Sequence, residues 1–85
     1  MPHLTPDLTP AERRVLMLML GGRNTAAIAR ELCIERSTVK RHRQNLYYKS
    51  DTHDVAALVH WGRGWLQTEQ QEIERALNVT ATRPV

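Results

Sequence analysis

The sequence has one cysteine, no phenylalanine, four glycines, four prolines, and no apolar run longer than the six residues from Val15 to Leu20. Each shortage closes a class of explanation. A lone Cys33 cannot make an internal disulfide, and no Cys/His group has zinc-finger spacing. The expectation is therefore a cytoplasmic protein with a reduced thiol and no metal or other cofactor. Six apolar residues are too few for a membrane span or a secretory signal, so no membrane partner is expected. His3, His42, His53 and His60 have no spacing that gathers metal ligands with carboxylates. Cys33 has no neighbouring base and reads as a buried structural residue. Gly21-Gly22 lacks the strand and the Lys-Ser/Thr of a phosphate loop. The parts of an enzyme are missing.

What is present fits one small soluble domain: 85 residues, 41% hydrophobic and 25% charged. The net charge of +3 is unevenly placed. Up to Trp65 there are ten Lys/Arg against six Asp/Glu, whereas the remaining tail has two against three. The basic excess is densest at Lys40-Arg41-His42-Arg43, a cluster suited to a polyanion, with a merely solvated helix face as the bland alternative.

Apolar residues recur at helical spacing, and no useful stretch alternates with period two. Thr9-Pro10-Ala11-Glu12 has the form of a capping box with proline at the first helical position. The helix it opens carries Val15, Leu18 and Met19 on one face, and Gly21-Gly22 stops it. Asn24 caps a short helix, Thr25 to Leu32, with Ile28, Ala29 and Leu32 inward. Cys33-Ile34-Glu35 connects it to a third helix of about residues 36–49. Asp51 and Asp54 mark a further start, with Val55, Leu58, Val59 and Trp61 on its apolar side. Gly62-Arg63-Gly64 loosens that helix, and Leu66, Ile73 and Leu77 predict a fifth, amphipathic one. Two short helices joined by a tight turn, with the small Ala29 at their crossing, have the form of a helix-turn-helix. Ile28, Leu32, Ile34 and Val39 would lock the pair. A packing hairpin satisfies the same apolar positions but leaves the basic outer side of the third helix unexplained.

From Leu8 to Trp61 the chain resembles the C-terminal DNA-binding domain of LuxR, NarL and FixJ regulators and the spore regulator GerE. The likeness runs without a gap through Leu8-Thr9-Pro10, Glu12, Val15-Leu16, Leu18, Gly22, Ile28-Ala29, Leu32, Thr38-Val39-Lys40, His42, Asn45-Leu46 and Lys49. It implies an all-α fold, a four-helix helix-turn-helix of the LuxR/GerE type with an additional C-terminal amphipathic helix. It implies base-edge contacts from Lys40, Arg41 and Gln44; Lys and Arg suit guanine acceptors and Gln suits adenine. Thr25, Arg36, Ser37, Thr38 and Lys49 would hold phosphates, with Arg43 snorkelling to phosphate from the core edge. His42 matches a position near the DNA backbone, a packed or solvated histidine being the alternative. Asn45 reads as a brace within the helix. Tyr47 and Tyr48 face different directions and read as one core and one surface residue.

The sequence departs from the family at four places. Cys33 stands where glycine usually turns the chain, and Glu35 where serine usually caps the recognition helix. Arg43 replaces an aliphatic residue, and Lys49-Ser50-Asp51-Thr52 replaces Lys-Leu-Gly-Val, which puts the docking of the last helix in question. The expected organisation is an N-terminal arm over 1–7, the helix-turn-helix domain over 8–62, a helical extension over 63–79 and a disordered tail over 80–85. Eight residues before Thr9 leave no room for a receiver or ligand-sensing domain, so the expectation is a stand-alone module controlled by abundance, a partner or dimerisation. Related domains pair through the last helix, which makes Val55, Leu58, Val59 and Trp61 the expected dimer contacts. The extension would lengthen that dimer, cover Met17 and Leu20 on helix one, or bind another protein. The function implied is a duplex-DNA-binding regulator acting as a homodimer. The rival is an interaction protein that captures a related regulator or RNA polymerase, in the manner of an anti-activator or a sigma region-four module.

Overall fold

The computed structural model describes residues 7–81. It is built from α1 (Pro10–Leu20), α2 (Thr25–Leu32), α3 (Arg36–Ser50) and α4 (Val55–Ala81). The chain is all-α, with the helix-turn-helix in α2 and α3. The arm expected over 1–7 lies outside the described residues except for Asp7, as does the expected tail beyond Ala81; Thr80 and Ala81 end α4.

Local chemistry sets the first three helices. At the start of α1 the Glu12 N–H donates to Thr9 Oγ1 (3.1 Å) and the Thr9 N–H donates back to Glu12 Oε1 (3.0 Å). Both halves of the capping box are thus closed ahead of a run of good helix formers. Asn24 Oδ1 accepts from the Ala27 N–H (2.9 Å) to cap α2, and Asp54 Oδ1 accepts from the Ala57 N–H (2.8 Å) to start α4. Three helices end alike: a residue in the left-handed region lets two amides turn back onto carbonyls of the last turn. After α1 that residue is Gly22 (φ 85°), with the Arg23 N–H reaching Leu18 O at 3.0 Å. After α2 it is Cys33 (φ 58°), with Ile34 reaching Ala29 O at 3.0 Å, and after α3 it is Asp51 (φ 57°), with Thr52 reaching Tyr47 O at 3.1 Å. Two side-chain-bearing residues therefore hold a conformation that costs roughly 1 kcal/mol more than at glycine. Cys33 is exposed in this turn, not buried as expected, because the left-handed backbone carries its Cβ outward from the helix end.

α3 packs against both α1 and α2, and α4 closes across α1 and α3. The core is Val15, Leu16, Met19, Ile28, Ala29, Val39, Leu46, Leu58 and Trp65. Leu18, Leu32, Ile34 and Trp61 pack partly buried around it.

Two expectations need correction here. Among the described residues there is no separate fifth helix: α4 runs unbroken for 27 residues, about 40 Å at 1.5 Å per residue. Gly62 does not loosen it but lets it approach α1. A Cβ at Gly62 would stand 2.8 Å from Leu16 Cδ1 and 3.3 Å from Leu20 Cδ2, so a larger residue there would force the Leu16 side chain or the helix itself to shift. Leu58, expected at a dimer face, is fully enclosed in the core of its own chain, because α4 needs that side chain to seal the space over α1 and α3.

The extension is likewise tied to α1. Trp65 is buried, stacks on Trp61 (6.3 Å between centroids) and lies under the Arg13 guanidinium at 5.3 Å. Arg13 Nη1 and Nη2 each donate to Glu69, at 2.8 and 2.9 Å. Leu20 is half-covered, while Met17 stays exposed.

Candidate nucleic-acid interface

The turn between α2 and α3 is short because the left-handed Cys33 reverses the chain within one residue. Ala29 leaves room for the crossing, and Ile28 and Val39 fix it from within. Once Val39 and Leu46 are buried, helical spacing decides what faces outward. Arg36, Ser37, Lys40, Arg41 and Gln44 are all exposed on one side of α3. Lys40 and Gln44 stand one turn apart beside a shallow recess of about 220 Å³, lined also by Arg43 and Tyr47.

At the start of α3, Glu35 occupies the capping position but makes no side-chain cap, leaving the first amides of the helix open outward. Ser37 Oγ lies 3.5 Å from the Glu35 carboxylate, at the limit of a hydrogen bond. Thr38 is half-buried.

Thr25 and Arg43, expected as phosphate contacts, come together. Arg43 Nη1 donates to Thr25 Oγ1, and Nη2 donates to Tyr47 Oη at 3.1 Å. Half-buried and with Nε unpartnered, Arg43 replaces an aliphatic residue by joining α2 to α3 along the edge of the core. His42 is half-buried, its Nδ1 enclosed without a hydrogen-bond partner, so it lies on the half-covered side of α3 rather than on the open side.

Lys49, expected at phosphate, is engaged within the chain. Its Nζ donates to Glu12 Oε1 at 2.6 Å and to the Asp7 carbonyl at 3.0 Å, fastening the end of α3 to the start of α1. The cause is Glu12, whose side chain is only 4% exposed and needs a counter-charge. Burial by itself would raise the Glu12 pKa. The Lys49 hydrogen bond, the Thr9 amide, the Lys49 charge and a hydrogen bond with Asn45 together hold it below the ordinary carboxylate value. Lys49 is therefore a brace between α3 and α1. Asn45 supports the same brace.

Of the two tyrosines read as one core and one surface residue, Tyr47 packs against the core and Tyr48 is the surface one. Tyr48 is 88% exposed and stands four residues after Gln44 and seven after Arg41, on the open side of α3.

Residues 6–62 match the family model described as bacterial regulatory proteins, luxR family. The chain belongs to this luxR family. It is 45% identical over 56 residues to the "Probable transcriptional regulatory protein NarL" of Mycobacterium tuberculosis, in strains CDC 1551 / Oshkosh and ATCC 25618 / H37Rv alike. That stretch is 66% of this chain and 26% of those proteins, so the chain spans about a quarter of the length of the curated relatives it matches. No solved structure is a significant match. The luxR-family match ends at Gly62, so everything in α4 beyond that glycine lies outside it. Within it, α2 and α3 form the DNA-binding helix-turn-helix of the luxR family.

Proposed function

We propose that this chain is a sequence-specific regulator of transcription in a bacterium or bacteriophage, which lays α3 in the major groove of duplex DNA as a homodimer. The observation that carries this reading is the division of α3. One side is spent on Val39, Leu46 and the Arg43 and Lys49 braces, while the other presents Arg36, Lys40, Arg41 and Gln44 to solvent. A helix that merely packed would gain nothing from an open side carrying three cations. Lys40, Arg41 and Gln44 read base edges, with Tyr48 extending that side by one turn. Arg36, Ser37 and the uncapped amides of the first turn hold phosphate. Thr25, fixed by Arg43, presents the first turn of α2 to the neighbouring phosphate. One such helix reads only a few base pairs, which is why a two-fold pair with half-sites about 10 base pairs apart is part of the proposal.

Arg41→Ala and Gln44→Ala are each expected to weaken binding to the preferred duplex by about 1–3 kcal/mol and to relax preference at one or two base pairs. Arg36→Ala is expected to weaken all duplexes alike. Binding isotherms on a panel of single-base-pair variants measure both. A uniform loss from every one of these changes would remove Arg41 and Gln44 from the base-reading set.

A further inference from the structure

The end of α1, the first turn of α2 and the first residue of α4 border an open-sided cleft of about 520 Å³. Its apolar lining comes from Met19 and Ile28 of the core and from Val55, which is 46% exposed. Arg23, Thr25 and Arg43 bring polar groups to it. The volume falls in the range of small-molecule sites, roughly 300–1,000 Å³.

The two arginines differ. Arg23 is exposed and spends its charge on Glu31 at 3.0 Å. Arg43 is half-buried and has no ion pair among the described residues. It donates to Thr25 Oγ1 and to Tyr47 Oη, both neutral hydroxyls, and its Nε is enclosed without a hydrogen-bond partner. A cation drawn partly out of water with only neutral partners keeps an uncompensated charge. An anion that reaches its guanidinium gains a charge-assisted contact.

We infer that this cleft is a binding site for a small monocarboxylate with an apolar body, the carboxylate on Arg43 and the body against Met19, Ile28 and Val55. The charge selects a monoanion. With Arg23 neutralised by Glu31, a single positive charge is open. A phosphate monoester, with about two negative charges, would find no second cation there. A DNA phosphodiester has the single charge but no apolar body to cover the lining.

Occupation of the cleft reaches the DNA interface, a consequence that rests on the reading of Thr25 as a phosphate contact. A carboxylate on Arg43 competes for the guanidinium that fixes Thr25 Oγ1. Ligand and duplex therefore oppose each other, each weakening the other's binding by the same factor. The chain thus carries an effector site within the helix-turn-helix domain itself.

Calorimetric titration of the DNA-free chain with benzoate, phenylacetate, indole-3-acetate and hexanoate tests the site. At least one is expected to bind about tenfold or more tightly than acetate, which lacks the apolar body, and than its own neutral amide. Arg43→Leu keeps an apolar side chain at the core edge and is expected to weaken that binding by about tenfold or more. Val55→Asp puts a negative charge at the cleft, at a helix start where an acidic residue is favourable, and is expected to weaken it likewise. Binding by none of the four acids, equal binding of acetate or the amide, or binding unchanged in either variant would overturn the site. Duplex affinity is then measured with the bound acid at saturation and is expected to fall. An unchanged duplex affinity would overturn the coupling through Thr25. A chain that binds no duplex at all would instead fail the DNA reading, while the titrations still decide the site.

Discussion

Duplex binding by this chain is expected to fall steeply when salt is raised from 50 to 200 mM. Arg30, Arg36, Lys40 and Arg41 are exposed on α2 and α3, and none has an ion pair among the described residues. The other cations of the two helices are committed, Arg43 to Thr25 and Tyr47 and Lys49 to Glu12. If four phosphates are neutralised per chain, a fourfold rise in salt lowers affinity by roughly 10²-fold for a monomer. A dimer neutralising twice as many falls by roughly 10⁴-fold under the same change. The slope of affinity against salt thus counts chains as well as contacts, and Arg36→Ala is expected to reduce it by about one per protomer. Lys49→Ala is expected to leave it unchanged in folded protein. A flat salt response would contradict an electrostatic interface on α3.

Lys49→Ala is instead expected to cost about 2–3 kcal/mol of folding stability at neutral pH, read from urea unfolding. The loss exceeds what a surface pair is worth because Glu12 stays behind, enclosed and without its counter-charge. Partial exposure of Lys49 keeps the estimate at the lower end for a broken buried pair. The same pair gives the wild type an acid limb. Glu12 titrates below its unfolded value, so its contribution is fully present above the unfolded pKa and is lost as pH falls through the lower folded one. Lys49→Ala removes the main partners that hold the pKa down and leaves burial to raise it. The variant is therefore expected to lose less stability on acidification than wild type. Equal acid limbs in the two proteins would show that the pair does not support the fold.

The parts of this molecule legible in sequence are those made by near neighbours. The Thr9–Glu12 box, the Asn24 cap, the stop at Gly22 and the outward side of α3 each depend on residues within a turn or two, and all stand where their spacing puts them. The parts that were not legible depend on distance along the chain. Lys49 meets Glu12 across 37 residues, and as a lone basic residue at a helix end it looks the same whether it meets phosphate or carboxylate. Gly62 is a second case. A glycine inside a helix pattern signals a break or a close approach, and only the presence of Leu16 and Leu20 decides for approach. Trp65 and Leu58 follow from that crossing, since α4 carries into the core whichever side Gly62 turns toward α1.

The most direct test of major-groove reading by α3 is guanine N7 methylation interference on a duplex selected from a random pool by this chain. N7 lies in the major groove, where Lys40 and Arg41 would meet it. Methylation is expected to block binding within two short tracts about 10 base pairs apart. Arg41→Ala is expected to lose the effect at one guanine in each. A chain that selects no duplex, or one whose binding is indifferent to N7 methylation throughout its site, would contradict the assignment of α3 as the recognition helix.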